Sequence, residues 1–174
     1  LGGTTVGNTG TFNNDGLVNV ETMGNSGILN NSGTFNNNQT LISTTSNGQG
    51  DLNNSGIFNN NGDLNHYGTI TNSSGGTLNN NDSLKLYGSD GTTTSIGLFT
   101  NDGTFNNIDK VRIYAGTLIN AGMITNSSAG TLVNNTGVFA NTGTLTSAGL
   151  IQNNALGVMT FADGTVDATT ITNN

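Results

Sequence analysis

The stretch "GTFNNDGLVNVETMGNSGILNNSGTFNNNQTLISTTSNGQGDLNNSGIFNNNG" (residues 10–62) places Phe12, Phe35 and Phe58 at intervals of 23 residues. Each has a glycine two residues before it and an asparagine two residues after it. In an extended strand, residues i and i+2 point to the same face. "GTFNN" therefore reads as one short strand, with a corner glycine, an inward phenylalanine and an inward asparagine. A strand this short buries little alone. Repeated at a regular period, it buries its face against the copies above and below it.

Outward from this stretch, the unit G-x-Φ-x-N (Φ apolar) recurs along the whole 174-residue chain. Taken in threes, the units form three columns. The first is Phe12, Phe35, Phe58, Leu78, Phe99, Leu118, Phe139 and Met159. The second is Val18, Leu41, Leu64, Leu84, Phe105, Ile124, Leu145 and Val166. The third is Val6, Leu29, Leu52, Ile70, Thr93, Val111, Leu132, Ile151 and Ile171, in which Thr93 is the one polar member. Glycine precedes every member of the first column, and most of the second, where Gln39 and Asp82 are exceptions. These glycines read as corners that adopt positive φ. Asparagine follows at Asn14, Asn37, Asn60, Asn80, Asn101, Asn120 and Asn141, and again at Asn8, Asn31, Asn54, Asn72, Asn134, Asn153 and Asn173. An inward amide needs a partner, and stacking in register supplies one as an amide ladder.

The expected fold is all-β: a triangular parallel β-solenoid, one domain over residues 1–174, with about eight coils of 19–23 residues. Parallel crossovers are right-handed by general bias, and so is the expected solenoid. "VETMGNS" (20–26), "STTSNGQ" (43–49) and "KLYGSDG" (85–91) read as insertions at the edge between the second and third faces.

Composition narrows the function. Hydrophobic residues make up 32% and charged residues only 7%. Disordered chains are apolar-poor but charge-rich, so this composition suits either a low-complexity coil or a repeat fold with little core per residue. Three Lys/Arg against ten Asp/Glu leave a net charge of −7. That offers no basic surface to a phosphate backbone, and nucleic acid is not an expected partner. No apolar run approaches a membrane span, so no membrane insertion is expected. Without cysteine there is neither a disulfide nor a thiolate metal site. The chain opens on Leu1 rather than Met, as expected of a processed chain or a piece of a longer one.

The repeat style, for instance "GTLINAGMITNSSAGTLVNNTGVFANTGTLTSAGLIQN" (residues 116–153), resembles that of filamentous-haemagglutinin-like adhesins and related bacterial surface proteins. The resemblance implies an exported, extracellular or cell-surface protein used for attachment or as a surface fibre. It carries no catalytic motif with it.

No catalytic constellation is expected, and no cofactor. A glycosidase needs two carboxyls flanking one bond, whereas Asp51 and Asp63 read as outward on different faces, and Asp82 and Asp109 as corner residues. No calcium-loop motif occurs. His66 is the only histidine and reads as a corner-ladder residue, equivalent to Asn107, Asn126 or Ser147.

Several surface features are candidates for interaction. Leu98, Ile119, Val138, Ala140 and Val158 form an outward apolar patch on the first face, suited to a lateral contact. Tyr67, Tyr87 and Tyr114 lie at the loop-bearing edge and could stack on sugars. Thr69/Thr71, Thr92/Thr94 and Thr170/Thr172 read as a broken threonine array on the third face, the pattern of ice binding. Asn30 and Asn53 are outward N-x-S/T acceptors for glycosylation. No capping segment is visible beside Val6 or Ile171, so the ends are expected to be covered either by flanking coils of a longer adhesin or by another copy of the chain, the second being preferred. The expected partner is a second copy stacked head to tail, with Ile171 and Val166 meeting Val6 and Phe12, and Asn173 meeting Asn8. The leading functional expectation is a non-enzymatic structural or adhesive rod. The alternative is a glycan- or ice-binding module of a larger adhesin.

Overall fold

The computed structural model describes residues 5–43, 50–88 and 96–174. Among these every regular element is a strand, and every pairing between strands is parallel. The chain winds as a three-faced β-solenoid of about eight coils. Thr11–Asn14 opens the first face, an eight-stranded sheet. The second and third faces merge into one sheet of thirteen strands. They merge because Leu17–Asn25, Thr34–Ser43, Thr144–Asn153 and Thr165–Asn173 run from one face to the other without a break.

Most strands are four residues long, and their burial alternates strictly. The first inward residue is apolar and the second is a buried asparagine in most cases. Phe35 and Phe58 lie directly above one another on the second face, their rings stacked at 5.2 Å and 4°. Phe12 belongs to the first face and meets Phe35 edge-on across the core, at 6.5 Å and 88°.

The columns therefore differ from those counted by threes. The first face is Phe12, Leu29, Leu52, Ile70, Phe99, Leu118, Phe139 and Met159. The second is Val18, Phe35, Phe58, Leu78, Phe105, Ile124, Leu145 and Val166. The third is Val6, Met23, Leu41, Leu64, Leu84, Val111, Leu132, Ile151 and Ile171. The slip begins at Met23. "VETMGNS" is not an insertion: Met23 is the third strand of the first coil, paired with Val6. Its corner is turned by a bulge between Val20 and Thr22, not by a glycine, so it lacks the G-x-Φ signature. Phe35, Phe58 and Leu78 thereby belong to the second face, Leu41, Leu64 and Leu84 to the third, and Leu29, Leu52 and Ile70 to the first. Thr93 and "STTSNGQ" after Ser43 lie outside the described residues, as does the end of "KLYGSDG". Coil lengths run more widely than expected, from 17 residues between Asn14 and Asn31 to 29 between Asn72 and Asn101.

The inward asparagines form ladders. On the first face the ladder is unbroken from Asn14 through Asn31, Asn54, Asn72, Asn101 and Asn120 to Asn141, with Nδ2–Oδ1 distances of 2.6–2.8 Å. On the second face it runs from Asn37 through Asn60, Asn80 and Asn107 to Asn126, and ends on the Ser147 hydroxyl. In every rung the lower amide donates upward, towards the C-terminal end. The same Nδ2 gives its second hydrogen to a backbone carbonyl of the coil above, as Asn14 does to Thr34 at 2.9 Å. A carbonyl only accepts, so this second bond fixes which way the amide points. The Asn37 Oδ1 has no partner, because Val20 lies beneath it where a ladder amide would stand.

The corner glycines have a different cause from the one expected. Among them only Gly97 has a φ in the left-handed region. At the others above the first coil the constraint is space: a Cβ would run into neighbouring atoms, in most cases a backbone carbonyl of the coil below. Under the observed register glycine fills every coil at two of the three corners, and Gln39, Asp82 and Asp109 all fall at the third, between the second and third faces.

Candidate functional site

Three adjoining rungs of the third face depart from the regular pattern: Asp63–His66, Ser83–Tyr87 and Lys110–Tyr114. Elsewhere on this face the second inward residue is a hydrogen-bonded amide, as in Asn8 to Asn25 and Asn134 to Asn153, except at Ser43 just below His66, whose hydroxyl donates to the Gly50 carbonyl. Here it is His66, then Leu86, then Ile113, all fully buried. Asn107, Asn126 and Ser147 belong to the second-face ladder and are not equivalents of His66. With apolar residues in place of amides, the upper two strands extend by one residue and pair through Tyr87 and Tyr114.

The three tyrosines named from sequence come together, at the edge between the third and first faces and not between the second and third as expected, because the slip at Met23 moves the strands of Tyr67 and Tyr87 to the third face. Tyr67 and Tyr87 stack at 4.7 Å and 13°, Tyr87 and Tyr114 at 5.3 Å and 9°. The ring faces between them are thus covered, and the column presents ring edges and phenol hydroxyls to solvent. Burial raises the Tyr87 pKa, opposed by the charge of Lys85, so its phenol remains a proton donor at neutral pH. Beside the tyrosines stand all three cations of the chain. Lys85 pairs directly with Arg112 in register, and Lys110 with Ser83. Lys85 also makes an ion pair of 3.1 Å with Asp63. Just beyond Tyr114, Ala115 holds a left-handed φ of 51°, a strained conformation for a residue with a Cβ.

Sequence reasoning missed the convergence of the cations with the tyrosines. The signal was present as three parallel triplets, Asn65-His66-Tyr67, Lys85-Leu86-Tyr87 and Arg112-Ile113-Tyr114. It was masked because these units lack the usual asparagine.

His66 is buried with neither ring nitrogen hydrogen-bonded among the described residues. Burial pulls its pKa down from 6.5 to about 3; the nearby Thr69 and Gly68 backbone opposes this without completing a bond. The unfolded chain therefore takes up a proton below pH 6.5 that the folded chain refuses. The resulting stability is complete above that pH and is lost as pH falls towards 3. Acidification from pH 7 to pH 5 should cost about 2 kcal/mol through this residue. His66→Leu should be at least as stable as the parent at neutral pH and should lose that part of the acid sensitivity, read as melting temperature at the two pH values.

The other candidates fall as follows. Leu98, Val138 and Val158 occupy one outward column of the first face, and Ile119 and Ala140 the next, so the apolar patch is assembled on one sheet. Asn53 is exposed and Asn30 half-buried, and each donates its Nδ2 to the outward amide one coil below, Asn30 and Asn13 respectively. A polar groove of about 410 Å³ runs along this corner past Asp15, Ser32, Ser55 and Ser73. The threonine array comes apart: Thr69/Thr71 lie on the first face and Thr170/Thr172 on the third, while Thr92/Thr94 lie outside the described residues. Asp51 and Asp63 are on different faces. Among the described residues no three of His, Asp and Glu gather as a metal site.

No family model, curated protein or solved structure matches this chain.

The two ends differ from each other. At the upper end, Val158, Met159, Phe161, Ile171 and Asn173 line a cavity of about 380 Å³, with Ile171 45% exposed. At the lower end, Val6, Phe12 and Val18 are partly buried, and a Cβ at Gly10 or Gly16 would meet nothing. The third face has nine rungs where the others have eight, so the helical path closes a third of a turn late. Continuing that path, a second copy would place Val6 over Met159, Phe12 over Val166 and Val18 over Ile171. The expected pairs Val166–Phe12 and Ile171–Val6 thus belong to two different arrangements. The second of these, with Asn173 under Asn8, leaves a rung missing on two faces.

Proposed function

We propose that the chain is an extracellular structural and adhesive rod that extends head to tail into a surface filament. The observation that carries this reading is the stacking itself: each coil covers its apolar columns and ladder amides with the coils above and below it, and at Phe161, Met159, Val166 and Ile171 that cover would come from a further coil, of this chain or of another copy. Open sheet ends are templates for further strands, and a contact between unlike ends propagates into a filament. The lower end of a second copy supplies apolar residues on all three faces, Val6, Phe12 and Val18, in the continuous-path arrangement. The resemblance of the repeats to surface adhesins supports the same role, and the apolar patch at Ile119, Val138 and Val158 suits lateral bundling of such filaments.

Electron microscopy of the isolated protein tests the reading. Fibres with an axial repeat of roughly 40 Å, eight coils at the strand spacing, are expected. Gly10→Ala should abolish them while leaving the melting temperature of the single rod unchanged, because its Cβ meets nothing until another coil lies below, and the continuous path sets it over Gly164, at a corner where every coil has glycine. Monodisperse single rods at high protein concentration would overturn the proposal.

A further inference from the structure

We propose that the third-face strip of Tyr67, Tyr87, Tyr114, Lys85, Lys110 and Arg112 binds a linear polysaccharide bearing carboxylates. Several independent departures from the repeat coincide at these rungs: the loss of the ladder amides at His66, Leu86 and Ile113, the stacked tyrosines, the strained Ala115 and the chain's entire positive charge. A solenoid that only needed to stack would have kept Asn here, as it does at Asn134 and Asn153 on the same face. Instead Leu86 and Ile113 anchor the strands from inside, and the outward side chains form a platform.

The platform sets the ligand's chemistry. Its tyrosine faces are occupied by one another, so it offers phenol hydroxyls in a row, suited to the hydroxyls of a sugar chain. In the adjoining columns stand an ammonium and a guanidinium one rung apart, and the guanidinium fork matches a carboxylate in two-point contact. Asp82 and Asp109 stand at the corner on the far side of this row, which confines an anion to the tyrosine side. Spacing excludes an acidic peptide. Rungs repeat at about 4.8 Å, whereas same-face side chains of an extended peptide repeat at about 6.7 Å. A sugar polymer advances by about one rung per residue, so a chain lying along the solenoid axis meets a tyrosine at every step.

The test is calorimetric titration with a short oligogalacturonate, using a neutral glucan oligomer and a sulfated oligosaccharide of similar length as comparisons. Binding of the oligogalacturonate is expected, weaker at high salt, with the neutral oligomer not bound. Arg112→Gln and Lys110→Gln should each weaken it about tenfold, as expected for loss of a charge-assisted hydrogen bond. Tyr87→Phe should weaken it less than Tyr87→Ala, because it removes the hydroxyl and keeps the stack. Melting curves establish that each variant is folded, and chemical shifts of the parent on titration should change on the third face alone. No binding at millimolar ligand, equal binding of the neutral oligomer, preference for the sulfated one, or unchanged binding by the variants would each overturn the proposal. None of these outcomes depends on filament formation.

Discussion

Gly56→Ala is expected to lower stability by about 3 kcal/mol, although it adds a single methyl group at the surface of a corner. The new Cβ would lie 2.5 Å from the Ser32 carbonyl oxygen and collide with that of Gly33 in the coil beneath. Neither oxygen can retreat. The Gly33 carbonyl accepts the amide of Ile57 at 2.8 Å, and the chain on either side is fixed in ladders. Overpacking of a rigid site costs about 1–3 kcal/mol, and the loss of neighbouring rung bonds brings the total to the upper end. Gly16→Ala is the matched control, in the same corner slot at the lower end. Its Cβ has open space, so its melting temperature should equal that of the parent. A melting temperature for Gly56→Ala within a degree or so of the parent would show that the corner can open to admit a Cβ.

A similar loss, about 3 kcal/mol, is expected for Asn80→Leu, even though leucine is the more hydrophobic residue. Asn80 accepts from Asn60 at 2.8 Å and donates to Asn107 at 2.8 Å and to the Lys110 carbonyl at 2.9 Å. Its removal strands a donor below and two acceptors above, all in a dry interior. Each such group costs about 1–3 kcal/mol, and burial of the leucine offsets about 2 kcal/mol of that sum. The same exchange is tolerated where the column is already apolar, as at Leu86 and Ile113, which separates a ladder effect from a general intolerance of leucine. Chemical denaturation of Asn80→Leu that matches or exceeds the parent would mean that the ladder contributes little.

The alternation of apolar residue and asparagine was legible in the sequence because the period of two is a local property of a strand. So were the inward asparagines and the solenoid itself. Column membership was not, because it depends on which coil lies beneath which, and the G-x-Φ-x-N unit is identical on all three faces. One strand without its glycine, at Met23, shifts the count by a third of a turn. The warning signs were Gln39 and Asp82 in a glycine column. Once Met23 is restored they move to the corner between the second and third faces, where Asp109 also stands. The tyrosine cluster was legible as three residues near one edge. Its charge was not, because Lys85 sits in a different repeat from Lys110 and Arg112, and only the register makes them neighbours.

The one-way donation in the inward ladders gives the rod a direction. From Asn14 to Asn141 every amide dipole on the first face is aligned, and the second face repeats the alignment from Asn37 to Asn126. Aligned peptide dipoles leave partial charges at the two ends of an α-helix, and aligned side-chain amides do the same here. At the lower end the amide oxygens of Asn8 and Asn14 take no ladder hydrogen from below among the described residues and accept from the Gly10 and Gly16 amides of their own coil, while at the upper end Asn173 accepts from Asn153 and its amide hydrogens are the last of their ladder. Two lower ends brought together set oxygen against oxygen. A fibre of such rods, as proposed above, would have a front and a back, and its two tips would differ chemically, so they are expected to grow at different rates.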